Sequence, residues 1–311
     1  MIKISKLKFF RSSSHPVIQS SCGGFTLLEM GIVLVITSIV AVGVMVSLTD
    51  SLMTRQLSDT TAKLEAIQKA LYDYRVAFDR LPCPADVTQP IVPSGANIYF
   101  GVEAANPGSC VGTPGANFVN AGGTGQDPRE GMVPVRTLRL PDDYAFDSWG
   151  RRIMYAVAKD MTQLNAFNII PGSDATTRMT VNNANGTANT AQAAYVLISF
   201  GPNGHGSYSR SGGTARLTSS NNADELQNCD CDSSANPTGL NGIFVQKDAT
   251  SNPLDRLNSF DDVVVYGTRA NLIMQSSLYW QVVGNGNTPV CAANSTTCVT
   301  TNGIKSCTCN Q

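Results

Sequence analysis

From Phe25 to Leu48 the chain reads FTLLEMGIVLVITSIVAVGVMVSL, an apolar run whose one charge is Glu29. As a helix rising 1.5 Å per residue it would measure about 36 Å, enough to cross a bilayer core of about 30 Å. Ahead of it, residues 1–24 carry Lys3, Lys6, Lys8 and Arg11 and no acidic residue. The positive-inside rule then puts this basic leader in the cytoplasm and everything after Leu48 outside it. Beyond the run, Leu64, Ile67, Leu71, Tyr74, Phe78 and Leu81 recur at helical spacing, while Lys63, Glu65, Lys69, Asp73, Arg75 and Asp79 fall on other faces. The pattern predicts one helix over 25–80, about 84 Å long, with a transmembrane or assembly segment at 25–48. Its second half is expected to pack under a globular head formed by residues 81–311. Pro82-Cys83-Pro84 ends the helix, because proline cannot continue it and restrains its predecessor.

In the head, residues 85–130 read as loops punctuated by proline and glycine. Ile153, Tyr155 and Val157 alternate with smaller residues as in a strand. Residues 159–192 form a polar stretch that reads as a surface insertion. Ala194 to Phe200 is a strong buried strand feeding a glycine turn through Gly206, with further strands expected at Gly242–Gln246 and Val263–Tyr266. Strands packed on a long helix make an α+β head, expected to be an antiparallel sheet stapled by disulfides.

Composition narrows the chemistry. The 311 residues suffice for one large domain or two, and only 14 % are charged, against about 25 % in a typical soluble protein. A formal net charge of −1 recruits no polyanion globally. Arg136, Arg139, Arg151 and Arg152 interleave with Asp142, Asp143 and Asp147, so they read as a solvated face and give no strong nucleic-acid signal. Two histidines, His15 and His205, are too few for a multi-histidine metal site. No nucleophile elbow and no phosphate-binding loop occurs, so the chain is not expected to be an enzyme.

Nine cysteines point to an oxidising compartment. Pairing of Cys83 with Cys110 would close a loop worth about 3.5 kcal/mol on the chain-entropy model. Cys229-Asp230-Cys231 and Cys307-Thr308-Cys309 each place two cysteines one residue apart. Such neighbours rarely bridge one another, so each pair is expected to reach two different partners. With Cys291 and Cys298 these six thiols allow many connectivities, and zinc ligation or free thiols remain alternatives to disulfides.

A carboxylate inside an apolar span is expensive, so Glu29 needs a partner. The string Gly24-Phe25-Thr26-Leu27-Leu28-Glu29 closely resembles the processing site of type IV prepilins and of the pseudopilins of type II secretion. The resemblance implies that a prepilin peptidase cuts after Gly24 and methylates the new amine of Phe25. It also implies that Glu29 pairs with the amine of a neighbouring subunit during assembly. Removal of the leader would leave 18 basic and 23 acidic side chains and an even number of cysteines. Asp147-Ser148-Trp149-Gly150 followed by Tyr155 resembles a turn that leads into the first strand of pseudopilin heads. It is expected to be a turn with a buried tryptophan anchor. Ser199-x-Gly201, Asn203-Gly204 and Phe260-Asp261-Asp262-Val263 resemble the segment that binds calcium in major pseudopilins. Asp261 and Asp262, with Asp224 or Glu225, would supply the oxygens. Two departures stand out: Asn203 occupies a place where many relatives carry Asp, and the two ends are far apart in sequence.

The implied protein is a structural, pilin-like subunit of a type II secretion pseudopilus or a type IV pilus. Its head is large, which favours a minor or specialised subunit. Implied partners are the prepilin peptidase, other pilin or pseudopilin subunits, the membrane through a single span before assembly, and the assembly platform with its ATPase. The implied location is the bacterial inner membrane, crossed once with the head outside the cytoplasm, and afterwards a periplasmic pseudopilus or extracellular pilus. The alternatives are a tip-located adhesin, a DNA-binding minor pilin, or an uncleaved membrane-anchored envelope protein.

Overall fold

The computed structural model describes residues 26–91, 99–111, 128–167, 178–236, 238–239, 241–250, 257–273, 296–301 and 304–309. The chain divides into two compact units, Met1–Leu52 and Met53–Gln311. Helix α1 covers Leu27–Phe78. Its start is held by a reciprocal pair: Thr26 Oγ1 accepts from Glu29 N at 3.2 Å, and Thr26 N donates to Glu29 Oε2 at 2.9 Å. This is a capping box, which satisfies donors that the first turn leaves open.

In the first unit the described large apolar side chains of α1 are exposed, from Leu27 at 93 % through Leu34 at 64 % to Ile39 at 69 %. No helix among the described residues is long and apolar enough to cross a membrane. The apolar part whose side chains are described runs over 27–41, about 22 Å of helix against about 30 Å of bilayer core. The transmembrane first half, the pilin-like fold built on it and the single-pass inner-membrane location are therefore corrected.

In the second unit α1 buries Leu64, Ile67, Leu71 and Tyr74 in the core, whereas Phe78 is 53 % exposed. The helix ends before the prolines, because Asp79 adopts a left-handed φ of 54° and its N–H donates to Arg75 O at 2.8 Å. Leu81 then turns inward, its N–H donating to Met161 O at 2.8 Å. Glu103 gathers this corner. Its carboxylate accepts from Tyr74 Oη at 2.8 Å, from both Arg80 guanidinium nitrogens at 2.8 and 2.9 Å, and from Cys83 N at 2.9 Å.

The sheet is mixed, which corrects the antiparallel expectation. Strands β1 (Pro128–Met132), β2 (Met154–Ala158), β3 (Met179–Asn182), β4 (Ala188–Ser199), β5 (Ile243–Val245) and β6 (Val263–Thr268) form one six-stranded sheet of order β1-β2-β4-β3-β5, with β6 also on β4. All pairings are antiparallel except β3 with β5, which runs parallel through Val181 and Phe244. β4 is the central strand: Ile198 and Tyr195 pair with Met154 and Val157 of β2, and Leu197 pairs with Val265 of β6. The polar stretch 159–192 is not a plain insertion, since it contains β3 and the start of β4. Two further strands, β7 (Thr296–Thr301) and β8 (Ile304–Cys309), pair with each other and place Cys298 opposite Cys307.

The turn at Asp147 is anchored by its carboxylate and not by Trp149, which is only half-buried. Asp147 Oδ1 accepts from Trp149 N and Arg151 N at 3.0 and 2.9 Å, and Oδ2 accepts from the Ser199 hydroxyl at 2.8 Å. Arg152 is fully buried, its Nε donating to Ser209 O at 3.0 Å and its Nη2 to Gln89 O at 2.6 Å. Arg136 grips Asp142 through two hydrogen bonds of 2.9 and 2.8 Å. Arg136 and Arg152 thus serve the head's own loops, whereas Arg139 is exposed as a solvated face requires.

Cys83 and Cys110 are joined, with Cα atoms 5.4 Å apart. Replacing both with alanine is expected to lower stability by about 3.5 kcal/mol, read as a lower urea midpoint; an unchanged midpoint would show that the bond constrains nothing. Cys229 and Cys231 are joined to each other, which corrects the expectation of separate partners. The cause is local. Helix α2 (Ala223–Asn228) ends in a Schellman turn, with Asp230 N donating to Gln227 O at 3.2 Å and Cys231 N to Leu226 O at 3.1 Å. Asp230 between them takes the left-handed φ of 45° that this turn requires, and the two cysteine side chains come round to the same side. Cys291 lies outside the described residues.

Candidate metal centre

Three segments distant in sequence meet where β4 ends. The first is the turn that leaves β4. Gly201 there has a φ of 54°, and a Cβ on it would stand 2.2 Å from Asp261 O and 2.4 Å from Asp261 Oδ1. Only glycine lets the turn approach so closely. Arg151 braces the same turn, donating to Gly201 O and, at 2.8 Å, to Pro202 O.

The second segment is α2. Asn222 caps it, its Oδ1 accepting from Asp224 N at 3.0 Å and from Glu225 N at 3.4 Å. The cap sets the direction in which the fully buried Glu225 projects. At the other end Asn228 clamps α2 to its neighbours. Its Nδ2 donates to Asp262 Oδ2 at 2.9 Å and Val245 O at 3.1 Å, and its Oδ1 accepts from Val245 N at 2.7 Å. The third segment leads into β6 and brings Asp261 and Asp262.

One oxygen from each of Glu225, Asp261 and Asp262 lies within 4.8 Å of the others. Asn203 holds two of the three: its N–H donates to Asp261 Oδ2 at 3.1 Å, and its Nδ2 lies 2.9 Å from both carboxylate oxygens of Glu225. Glu225 Oε1 also accepts from Asp261 N at 2.8 Å. That accounts for one oxygen of each aspartate, since Asp262 Oδ2 receives Asn228. Asp261 Oδ1 and Asp262 Oδ1 are buried with no hydrogen-bond partner.

Burial first, and then the charge of Glu225, push the Asp261 carboxyl up to about 7. Asp262 is raised well above the usual carboxylate range by burial and by the charges of Glu225 and Asp261. Nearby cations do little to offset this: Lys247 is paired with Asp224 and lies 4.6 Å from the Phe260 ring centre. Such a cluster either keeps protons or takes a hard cation in their place. Carboxylate oxygens at this density suit calcium or a similar oxygen-seeking divalent ion. The two buried oxygens without partners make the residues fit such an ion.

Of the residues expected from sequence, Asp261 and Asp262 come together and Glu225 joins them, whereas Asp224 is committed to Lys247. Asn203 acts as a donor rather than a ligand, a role its amide can fill toward Glu225 and a carboxylate could not. Asn228 was missed, because nothing in its local sequence marks it. Gly24 and Phe25 lie outside the described residues. Comparison with family models, with curated proteins and with solved structures returns no match.

Proposed function

We propose that this chain is a structural fibre subunit, processed after Gly24 in the manner of the type IV prepilins its leader resembles and assembled through its N-terminal helix. The observation that carries this reading is the uncovered apolar surface of α1. Leu27, Leu28, Ile32, Val35 and Ile36 are all exposed and, with Gly31, line a shallow groove. A patch of that kind marks an interaction site, and equivalent helices of further copies are its natural cover. The head, with its carboxylate cluster and disulfides, is the part displayed. The partners are then a prepilin peptidase, other pilin or pseudopilin subunits, and an assembly platform with its ATPase.

Glu29 has two candidate roles, and a pair of variants separates them. Gln can keep the capping box with Thr26 while losing the charge, and Ala loses both. Glu29→Gln and Glu29→Ala are both expected to be cleaved normally and to be lost from fibres more than tenfold, as charge pairing with a neighbour's amine requires. If Glu29→Gln assembles like the parent, Glu29 is only a helix cap. Mass spectrometry of the protein from its native host is expected to find a methylated Phe25 at the N-terminus, and Gly24→Val to retain the leader. A parent chain still beginning at Met1 beside an active prepilin peptidase overturns the reading.

A further inference from the structure

Next to the carboxylate cluster, His205, Cys229 and Cys231 form a second buried group with one ligand atom each within 4.8 Å. The protonation of the histidine is against a metal here. His205 Nδ1 accepts from Ser219 N at 2.9 Å and from Ser220 N at 3.0 Å. A ring nitrogen that accepts two backbone N–H groups carries no proton, so in the neutral imidazole the proton sits on Nε2. Burial keeps the ring neutral by lowering its pKa. Nε2 faces Asp232 O at 3.2 Å and Cys231 Sγ at 3.5 Å. The nitrogen turned toward the sulfurs is therefore a donor, unsuited to ligate an ion but suited to hold a thiolate.

The bond between the cysteines also contributes little as a staple. It joins residues two apart, against 27 apart for Cys83 and Cys110, so it restricts the unfolded chain far less. The turn it spans is already closed by the two backbone hydrogen bonds of its Schellman motif. Such a bond is free to serve chemistry.

We propose that Cys229–Cys231 is a reducible disulfide that exchanges with a dithiol reductant, and that the Nε2–H of His205 stabilises the thiolate released on Cys231. A thiolate of the dithiol attacks Cys229 Sγ and forms a mixed disulfide, and the electron pair of the broken bond leaves on Cys231. The second sulfur of the dithiol then displaces Cys229 and closes the reductant's own disulfide. Two electrons pass to the protein; one proton ends on Cys229 and the other goes to solvent. Both cysteines are buried, so exchange proceeds through local opening of the turn after α2. The charged groups around the pair are Arg216, whose Nη1 donates to Cys229 O at 2.8 Å, the buried Asp230 and Glu130, Glu225 on α2, and Asp232.

The test uses the full-length protein equilibrated with graded ratios of reduced to oxidised dithiothreitol, trapped by alkylation and mapped by peptide mass spectrometry. Cys229 and Cys231 are expected to be labelled at a ratio at least about tenfold lower than Cys83 and Cys110. In the reduced protein, the alkylation rate of Cys231 is expected to reach half its maximum below pH ~8.5, the ordinary thiol value, and His205→Gln to move that midpoint back toward it. Survival of Cys229–Cys231 until Cys83–Cys110 is reduced overturns the redox site. A parent midpoint at or above the ordinary value overturns the role of His205, and it does so even if His205→Gln fails to fold.

Discussion

Raising the pH from 5 to 8 in the presence of a chelator is expected to lower the melting temperature, and millimolar calcium at pH 8 to restore part of the loss. The sign follows from the carboxyls. Asp261 is pushed up to about 7 by burial and by Glu225, and Asp262 is raised well above the usual carboxylate range, mainly by burial, while in the unfolded chain both titrate near ~3.9. The folded form therefore holds protons that the unfolded form gives up. This contribution is fully present below pH ~4 and falls as the pH climbs toward 7, by at least about 1.4 kcal/mol, the worth of one pKa unit. Asp230, up to about 8, and Glu130, up to about 7, are raised mainly by burial and add to the same slope. They lie outside the cluster, so calcium recovers only the share due to Asp261 and Asp262. At pH 5 protons compete for the oxygens, and calcium should change the melting temperature little. Asp262→Asn is expected to flatten part of the pH slope and to abolish the calcium response. A calcium response that persists in this variant would place the ion elsewhere.

The second large effect belongs to Gly201→Ala. Its Cβ would fall 2.2 Å from the backbone oxygen of Asp261, on a residue with φ 54°, so neither a rotamer change nor a small side-chain shift relieves it. Left-handed strain and overpacking together are expected to cost roughly 2–5 kcal/mol. The loss should appear as a lower urea midpoint at constant slope, together with loss of the calcium response. A variant with the parent midpoint would show that the turn can move away from Asp261, and the account of the site's rigidity would fail.

The sequence carried some of this plainly. The spacing of Leu64, Ile67, Leu71 and Tyr74 is a helix face, and all four are buried in the core. Ala194 to Ile198 is continuous apolar chain and lies in the buried half of β4. What stayed hidden depends on long-range pairing. Met179–Asn182 looks too polar for a strand, and only its place between β4 and β5 makes it one. Between the Thr-rich β7 and β8 the sequence reads Asn302-Gly303, a pair that favours a hairpin. Asp224 and Glu225 were equal candidates for the third carboxylate, and only the direction that the Asn222 cap gives α2 selects Glu225. The cysteine bridge at Asp230 turned on a left-handed turn residue, which spacing alone does not reveal.

Glu103 has a mechanical consequence. It takes hydrogen bonds from Tyr74 near the end of α1, from Arg80 just past it, and from Cys83, which is itself tied to Cys110. The end of α1 and the segment that leaves it are therefore tied to one carboxylate, and through Cys83 to a covalent bond. Under traction that covalent tie limits how far residues 83–110 can be drawn out.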